Sequence, residues 1–177
     1  MTDALAKEAF CRVLERLEDS CRGNKAVRLE IHTAATMAGM AFSQAGLGLC
    51  HAMAHGLGGR FHVAHGRLKA ILLPAVISAN AYGAAERYAA LARGVGLGGS
   101  ADLVAMRNLK NALVGLRSRL GLPETLAEAG VSPRAVWAEK EALVGDILAD
   151  PCCRTNPVPV DGCLVRQVLE AVTGRGR

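Results

Sequence analysis

Residues 46–65 read Gly46-Leu47-Gly48-Leu49-Cys50-His51-Ala52-Met53-Ala54-His55-Gly56-Leu57-Gly58-Gly59-Arg60-Phe61-His62-Val63-Ala64-His65, and they contain every histidine of the chain except His32. His51 and His55 are one helical turn apart and face the same side of a helix. Leu49 to about Leu57 reads as a short helix ended by Gly58-Gly59, residues 58–64 as a loop, and His65 as the opening of the next helix. That loop can return His65 toward His51 and His55, so three imidazoles can converge on one point. Neutral imidazole ligates iron, zinc, nickel or copper, and surroundings without charged side chains favour the neutral form. A plainer alternative stands beside this: a buried histidine usually bonds a carbonyl, and a His-x-x-x-His pair on a helix recurs by chance. His62 reads as a loop residue facing solvent or a bound nucleotide, and His32 as structural or exposed; neither is assigned to a metal.

Composition sets the frame around this stretch. The 177 residues are 51% apolar and 21% charged, enough for a well-cored globular domain. Aromatic residues make up only 3%, so Ala, Leu, Val and Met must fill the core, which suits close-packed helices rather than a sandwich or barrel. An all-α fold is predicted. The net charge of +5 is scattered and base-stacking aromatics are scarce, which argues against nucleic-acid binding. Residues 1–8 lack the basic and apolar regions of a secretory signal, and the six cysteines have no zinc-type pairing, so reduced thiols in the cytoplasm are expected. Ile31 to Gly59 carries no Asp, Glu, Lys or Arg and is long enough to span a bilayer. Its histidines, glutamine and glycines point instead to a buried helix pair, and no membrane association is expected.

Working outward, the spacing of apolar residues predicts helices over Thr2 to about Cys21, with Thr2 as cap and Gly23 as terminator, and over about Lys25 to Gln44. Small residues Ala34, Ala35, Ala38, Gly39 and Ala41 would let a neighbouring backbone approach the second helix closely. A helix from His65 to about Ala79 is expected to be kinked or divided at Pro74. Further helices are predicted at about Ala84–Arg93, Ala101–Leu120, Pro133–Ala149 and Asp161–Val172, with turns at Gly94–Gly99 and Gly121–Pro123. This makes seven or eight helices in a single domain, 1–177, with no strand. The glycines of 94–99 follow a helix rather than a strand and lack a Gly-Lys-Ser/Thr ending, so they read as structural turns and not as a phosphate loop. No nucleophile elbow is present.

The run Ala38-Gly39-Met40-Ala41-Phe42-Ser43-Gln44-Ala45-Gly46-Leu47-Gly48-Leu49-Cys50-His51-Ala52-Met53-Ala54-His55, followed by Gly58-Gly59, Phe61, His65-Gly66 and Ala70-Ile71-Leu72-Leu73-Pro74, resembles the signature region of the iron-containing alcohol dehydrogenases. The likeness extends over nearly the whole chain, through Thr2-Asp3-Ala4-Leu5, Gly121-Leu122-Pro123 and Asn156-Pro157, and the ethanolamine-utilisation type looks nearest. The resemblance implies the C-terminal all-helical domain of this dehydroquinate synthase-like fold, a multi-helix bundle that binds a divalent metal through one Asp and three His. It assigns the last two of those ligands to His51 and His65, and His55 to the histidine beside the metal where a proton relay is usually proposed. The implied cofactors are Fe2+, with Zn2+ as the other candidate, and NAD(P). The implied reaction interconverts a small primary alcohol and its aldehyde.

Several family features have no counterpart. The Asp-x-x-x-His ligand pair is absent, since Asp3-Ala4-Leu5-Ala6-Lys7 puts lysine where histidine is needed, and the N-terminal nucleotide-binding half with its phosphate-binding glycines is missing. Gly56 and Ala64 stand where prolines are usual, and Leu68-Lys69 replaces a small residue and Asn. Lys69, one turn after His65, would disfavour a nearby cation if it pointed inward. The expectation is thus a C-terminal dehydrogenase domain, inactive alone and able to form a homodimer; the rival is a stand-alone helical interaction or assembly module descended from the enzyme.

Overall fold

The computed structural model describes residues 1–174. Every element is helical: α1 Thr2–Cys21, α2 Lys25–Ala45, α3 Leu49–Phe61, α4 His65–Ala79, α5 Ala81–Gly94, α6 Asp102–Arg119, α7 Pro133–Ala138, α8 Lys140–Ala149, a 3-10 turn Pro151–Thr155, and α9 Gly162–Thr173. The all-α expectation holds, and among the described residues no single helix is long and apolar enough to cross a membrane.

The chain divides into two compact units, one of Met1–Gly46 and Ala85–Leu120, the other of Leu47–Ala84 and Gly121–Arg177. In the first, Gly23 adopts φ 96° and the short turn folds α2 back along α1. Asn24 starts α2 by accepting a hydrogen bond from the backbone N–H of Val27 at 3.3 Å. Thr2 does not cap α1 as expected; it lies inside the helix, whose cap is Met1 and has no side-chain bond. A small core of Ala89, Ala92, Ala105 and Leu109 joins α5 and α6, with Phe10 of α1 against it. Gly99 has φ 118° and lies so near Ala105 that a β-carbon would sit 2.5 Å from the Ala105 backbone, so this turn needs glycine.

The second unit carries the larger core, in which Leu49, Met53 and Leu57 of α3 pack with Leu68 and Leu72 of α4, Leu143 and Ile147 of α8, and Val165 and Leu169 of α9. The large fully buried side chains of α3, Leu49, Met53 and Leu57, recur at i, i+4 and i+8, and His51 and His55 lie on another side. Gly56 meets α8 directly: a β-carbon there would lie 3.0 Å from Ile147 Cγ1. α3 runs through Gly58-Gly59 to Phe61, where a loop was expected. Its last turn is held by buried Leu57 and by Arg60, whose guanidinium pairs with Asp146 at 2.6 Å and with Glu139, offsetting the cost of about 1 kcal/mol per helical glycine. His62, at φ 54°, is the left-handed cap.

α4 is not divided at Pro74, which sits inside one continuous helix. The expected Pro133–Ala149 helix is two, broken at Glu139, and the 3-10 turn after α8 has no counterpart in the sequence reading.

Candidate metal centre

The position of α3 is set at its first residue. Gly48 is extended, and the backbone N–H of Leu49 donates to Asn156 Oδ1 at 3.1 Å. A β-carbon on Gly48 would come within 3.0 Å of that oxygen, so glycine admits the contact. Asn156 Nδ2 in turn donates to Asn80 Oδ1 at 2.8 Å and to the carbonyl of Val158 at 2.9 Å, and Thr155 Oγ1 donates to the carbonyl of Leu47. The segment after α8 therefore clamps the start of the helix that carries two histidines.

His51, His55 and His65 meet. Ring centroids lie 6.3 Å apart for His51 and His55, 5.4 Å for His51 and His65, and 5.2 Å for His55 and His65, whose rings stack. His51 is half-buried, while His55 and His65 are exposed. Desolvation by burial, then the charge of Lys69, then the two neighbouring imidazoles push the His51 pKa down to about 4. Burial, Lys69 and His55 lower that of His65 as well. Both imidazoles are thus neutral near pH 7, the form that binds a metal.

The surroundings are charged, and the Lys69 that the sequence places one turn after His65 does bear on the site. Lys69 is close enough to act on both rings, adding to the burial that keeps them neutral, and it would oppose a bound cation. On the far side, His55 Nδ1 lies 2.8 Å from Asp150 Oδ2. Burial raises the Asp150 pKa, but the Cys152 N–H and His55 outweigh it, leaving the carboxyl below its ordinary value. Burial, aided by Asp150, pushes the Cys152 thiol up to about 11. His55, Asp150 and Cys152 each offer a ligand-type atom within 4.8 Å of the others.

The donors fit a divalent metal in kind, since His51 and His65 bring two imidazoles together with ring centroids 5.4 Å apart, and are too few for a closed shell, which takes four ligands in a tetrahedral site. His62 and His32 are both exposed and stand outside the cluster, His62 as the cap of α3 and His32 on α2 in the other compact unit.

Asp150 and Cys152 were missed by sequence reasoning. The Asp150-Pro151 pair does mark the start of a short helical turn, since Asp150 accepts from the Cys152 N–H at 2.8 Å and Pro151 takes the first position. Nothing in that local signal points to a histidine 95 positions away.

The chain is similar in sequence and in fold to known proteins. The chain is 43% identical over 176 residues to the 1-propanol dehydrogenase PduQ of Salmonella typhimurium, covering 96% of this chain and 47% of that one. It is 37% identical over 158 residues to the probable alcohol dehydrogenase EutG of the same organism, covering 88% and 38%. The solved iron-containing alcohol dehydrogenase of Thermococcus thioreducens superposes with a TM-score of 0.86 at 33% identity, covering 96% of this chain and 43% of that one. The chain spans about half the length of the curated relatives it matches. Residues 1–173 match the model of the Fe-containing alcohol dehydrogenase family, C-terminal, and the chain belongs to that family.

Proposed function

We propose that these residues form the metal-holding helical part of a metal-dependent, NAD(P)-linked alcohol dehydrogenase that interconverts a small primary alcohol and its aldehyde. His51 and His65 would hold a divalent ion, Fe2+ or alternatively Zn2+, and His55 would pass a proton between substrate and solvent. The observation that carries this reading is the approach of three imidazoles, two of them held neutral, from the first half of α3 and the start of α4. The bound ion would supply Lewis acidity, polarising the carbonyl and lowering the pKa of the alcohol. His55, exposed and hydrogen-bonded on one ring nitrogen, has access to solvent that the half-buried His51 lacks.

The nucleotide and the remaining metal ligands would come from the part of the enzyme that relatives have and these 177 residues do not include, so the chain by itself should not turn over alcohol with NAD(P). The six free thiols suit a reducing cytoplasm. The test is metal content of the purified chain by elemental mass spectrometry, beside a His51→Ala/His65→Ala variant. Near-stoichiometric iron or zinc, lost in the variant, supports the reading; equal content in both sinks the ligand assignment.

One observation favours the rival, an interaction module. An apolar groove of about 380 Å³ runs between α1 and α2, lined by Ala6, Phe10, Ala38 and Phe42, with Phe42 44% exposed. A homodimer is expected on either reading. A metal-free chain that sediments as a dimer would favour the module over the catalytic piece.

A further inference from the structure

We propose that Asp150 is the positioning residue of His55: its carboxylate holds the imidazole in the tautomer with hydrogen on Nδ1 and leaves Nε2 as the nitrogen for proton exchange. The first observation is chemical. An ionised carboxylate only accepts, so at 2.8 Å from His55 Nδ1 the ring nitrogen must be the donor. The tautomer then follows, as it does for a metal-site or catalytic histidine whose second nitrogen is tied to a carboxylate.

The second observation is mechanical. The other Asp150 oxygen accepts the Cys152 N–H at 2.8 Å, so the carboxylate plane is fixed by the backbone of the 3-10 turn. That turn is joined to α3 through Thr155 on the Leu47 carbonyl and Asn156 on the Leu49 N–H. The Asp150 side chain is 15% exposed and the His55 side chain 47%, so an anchored acceptor faces a ring that would otherwise reorient in solvent. Helix and acceptor are thus parts of one rigid assembly, and the ring gains a single orientation relative to His51 and His65.

The same trio could instead be taken for a metal site, since His55, Asp150 and Cys152 converge. Spacing argues otherwise. Two ligands about 2.05 Å from one tetrahedral ion lie about 3.3 Å apart, well beyond the 2.8 Å that separates His55 Nδ1 from Asp150 Oδ2. That separation is a hydrogen bond.

The relay role of Nε2 rests on the function proposed above, whereas the tautomer does not, and the experiment separates them. Long-range 1H–15N spectra of the histidine rings would be recorded near neutral pH for the chain, for Asp150→Asn and for Asp150→Ala, with Trp137 fluorescence confirming the fold. His55 should carry its hydrogen on Nδ1 in the wild-type chain, retain that form in Asp150→Asn, whose amide oxygen still accepts, and shift to mainly Nε2–H in Asp150→Ala. A wild-type His55 with hydrogen on Nε2 overturns the proposal even if Asp150→Ala fails to fold, and so does an unchanged tautomer in a folded Asp150→Ala. In a parallel Zn2+ titration, absence of binding at His51 and His65 beside a Nδ1–H His55 would remove the metal reading and leave this one standing. Zn2+ binding lost in Cys152→Ala yet kept in His51→Ala/His65→Ala would make the trio a metal site and overturn the positioning role.

Discussion

Replacing Asn156 by Ala should loosen the whole second unit, and the size of the effect can be worked from its bonds. Asn156 Oδ1 accepts from the Leu49 N–H and from Asn80 Nδ2, both at 3.1 Å, and Nδ2 donates to Asn80 Oδ1 at 2.8 Å and to the Val158 carbonyl at 2.9 Å. A neutral hydrogen bond nets about 1 kcal/mol, so four bonds give about 4 kcal/mol. Two of the four link the same pair, Asn80 and Asn156, and water can enter beside Leu49, so about 3 kcal/mol is the expected loss. With a urea m-value of about 2 kcal/mol per molar, the midpoint should fall by about 1.5 M. Trp137 is the only tryptophan and lies in the same unit as Asn156, so its fluorescence reads this unit's unfolding directly. A midpoint shift below about 0.5 M would show that the clamp on α3 is decorative and that core packing alone positions the helix.

Three further outcomes are expected. His51 should titrate with a midpoint near pH 4, followed through its ring protons by NMR, and a midpoint near the ordinary 6.5 would refute its desolvated setting. Because its folded pKa lies below the unfolded value, its contribution to stability is complete above about pH 6.5 and is lost as pH falls toward 4, so urea midpoints should drop over that window. Met53→Ala, which empties a fully buried site on α3 between the two histidines, should cost about 2–5 kcal/mol by Trp137 fluorescence; a loss under about 1 kcal/mol would contradict the packing described. Gly99→Ala combines a left-handed φ with a β-carbon 2.5 Å from the Ala105 backbone and should destabilise by about 3 kcal/mol in thermal melts by circular dichroism, whereas an unchanged melting temperature would mean the 94–99 turn adopts another path.

What could be read from the sequence was whatever depends on neighbours along the chain. The helices α1, α2, α6 and α9 follow from apolar periodicity and from the turn at Gly23, signals that act within one turn. The errors fall where a distant contact overrules a local preference. Gly58-Gly59 should end a helix, yet Arg60 is tied to Asp146 and Glu139 and Leu57 is buried, so α3 continues to Phe61. Pro74 was expected to kink or divide α4; it does not divide it, because Ile71, Leu72, Val76 and Ile77 are all buried around it and that packing carries the helix across the missing N–H. Gly56, a departure from the family's usual proline, has its reason only in Ile147 of α8, whose side chain occupies the space a β-carbon would need.

The histidine cluster divides along the same line. His51 and His55 are brought together by one turn of helix, and His65 follows from a single reversal at His62, so their convergence was within reach of spacing. The charges that decide what the cluster can do were not. Lys69 is one turn beyond His65 and so was visible, but its influence on the half-buried His51 depends on how α4 packs on α3. Asp150 approaches from the opposite end of the sequence to counter it at His55. The cluster is therefore asymmetric: a positive group bears on His51 and His65 and adds to the burial that keeps them neutral, while a negative group meets His55 and keeps that ring hydrogen-bonded. Exchanging the signs would defeat both tasks. A carboxylate in place of Lys69 would raise the His51 and His65 pKa values and set protons in competition with any metal offered to those rings, and an ammonium in place of Asp150 could not accept from His55 Nδ1 and would free the ring to turn.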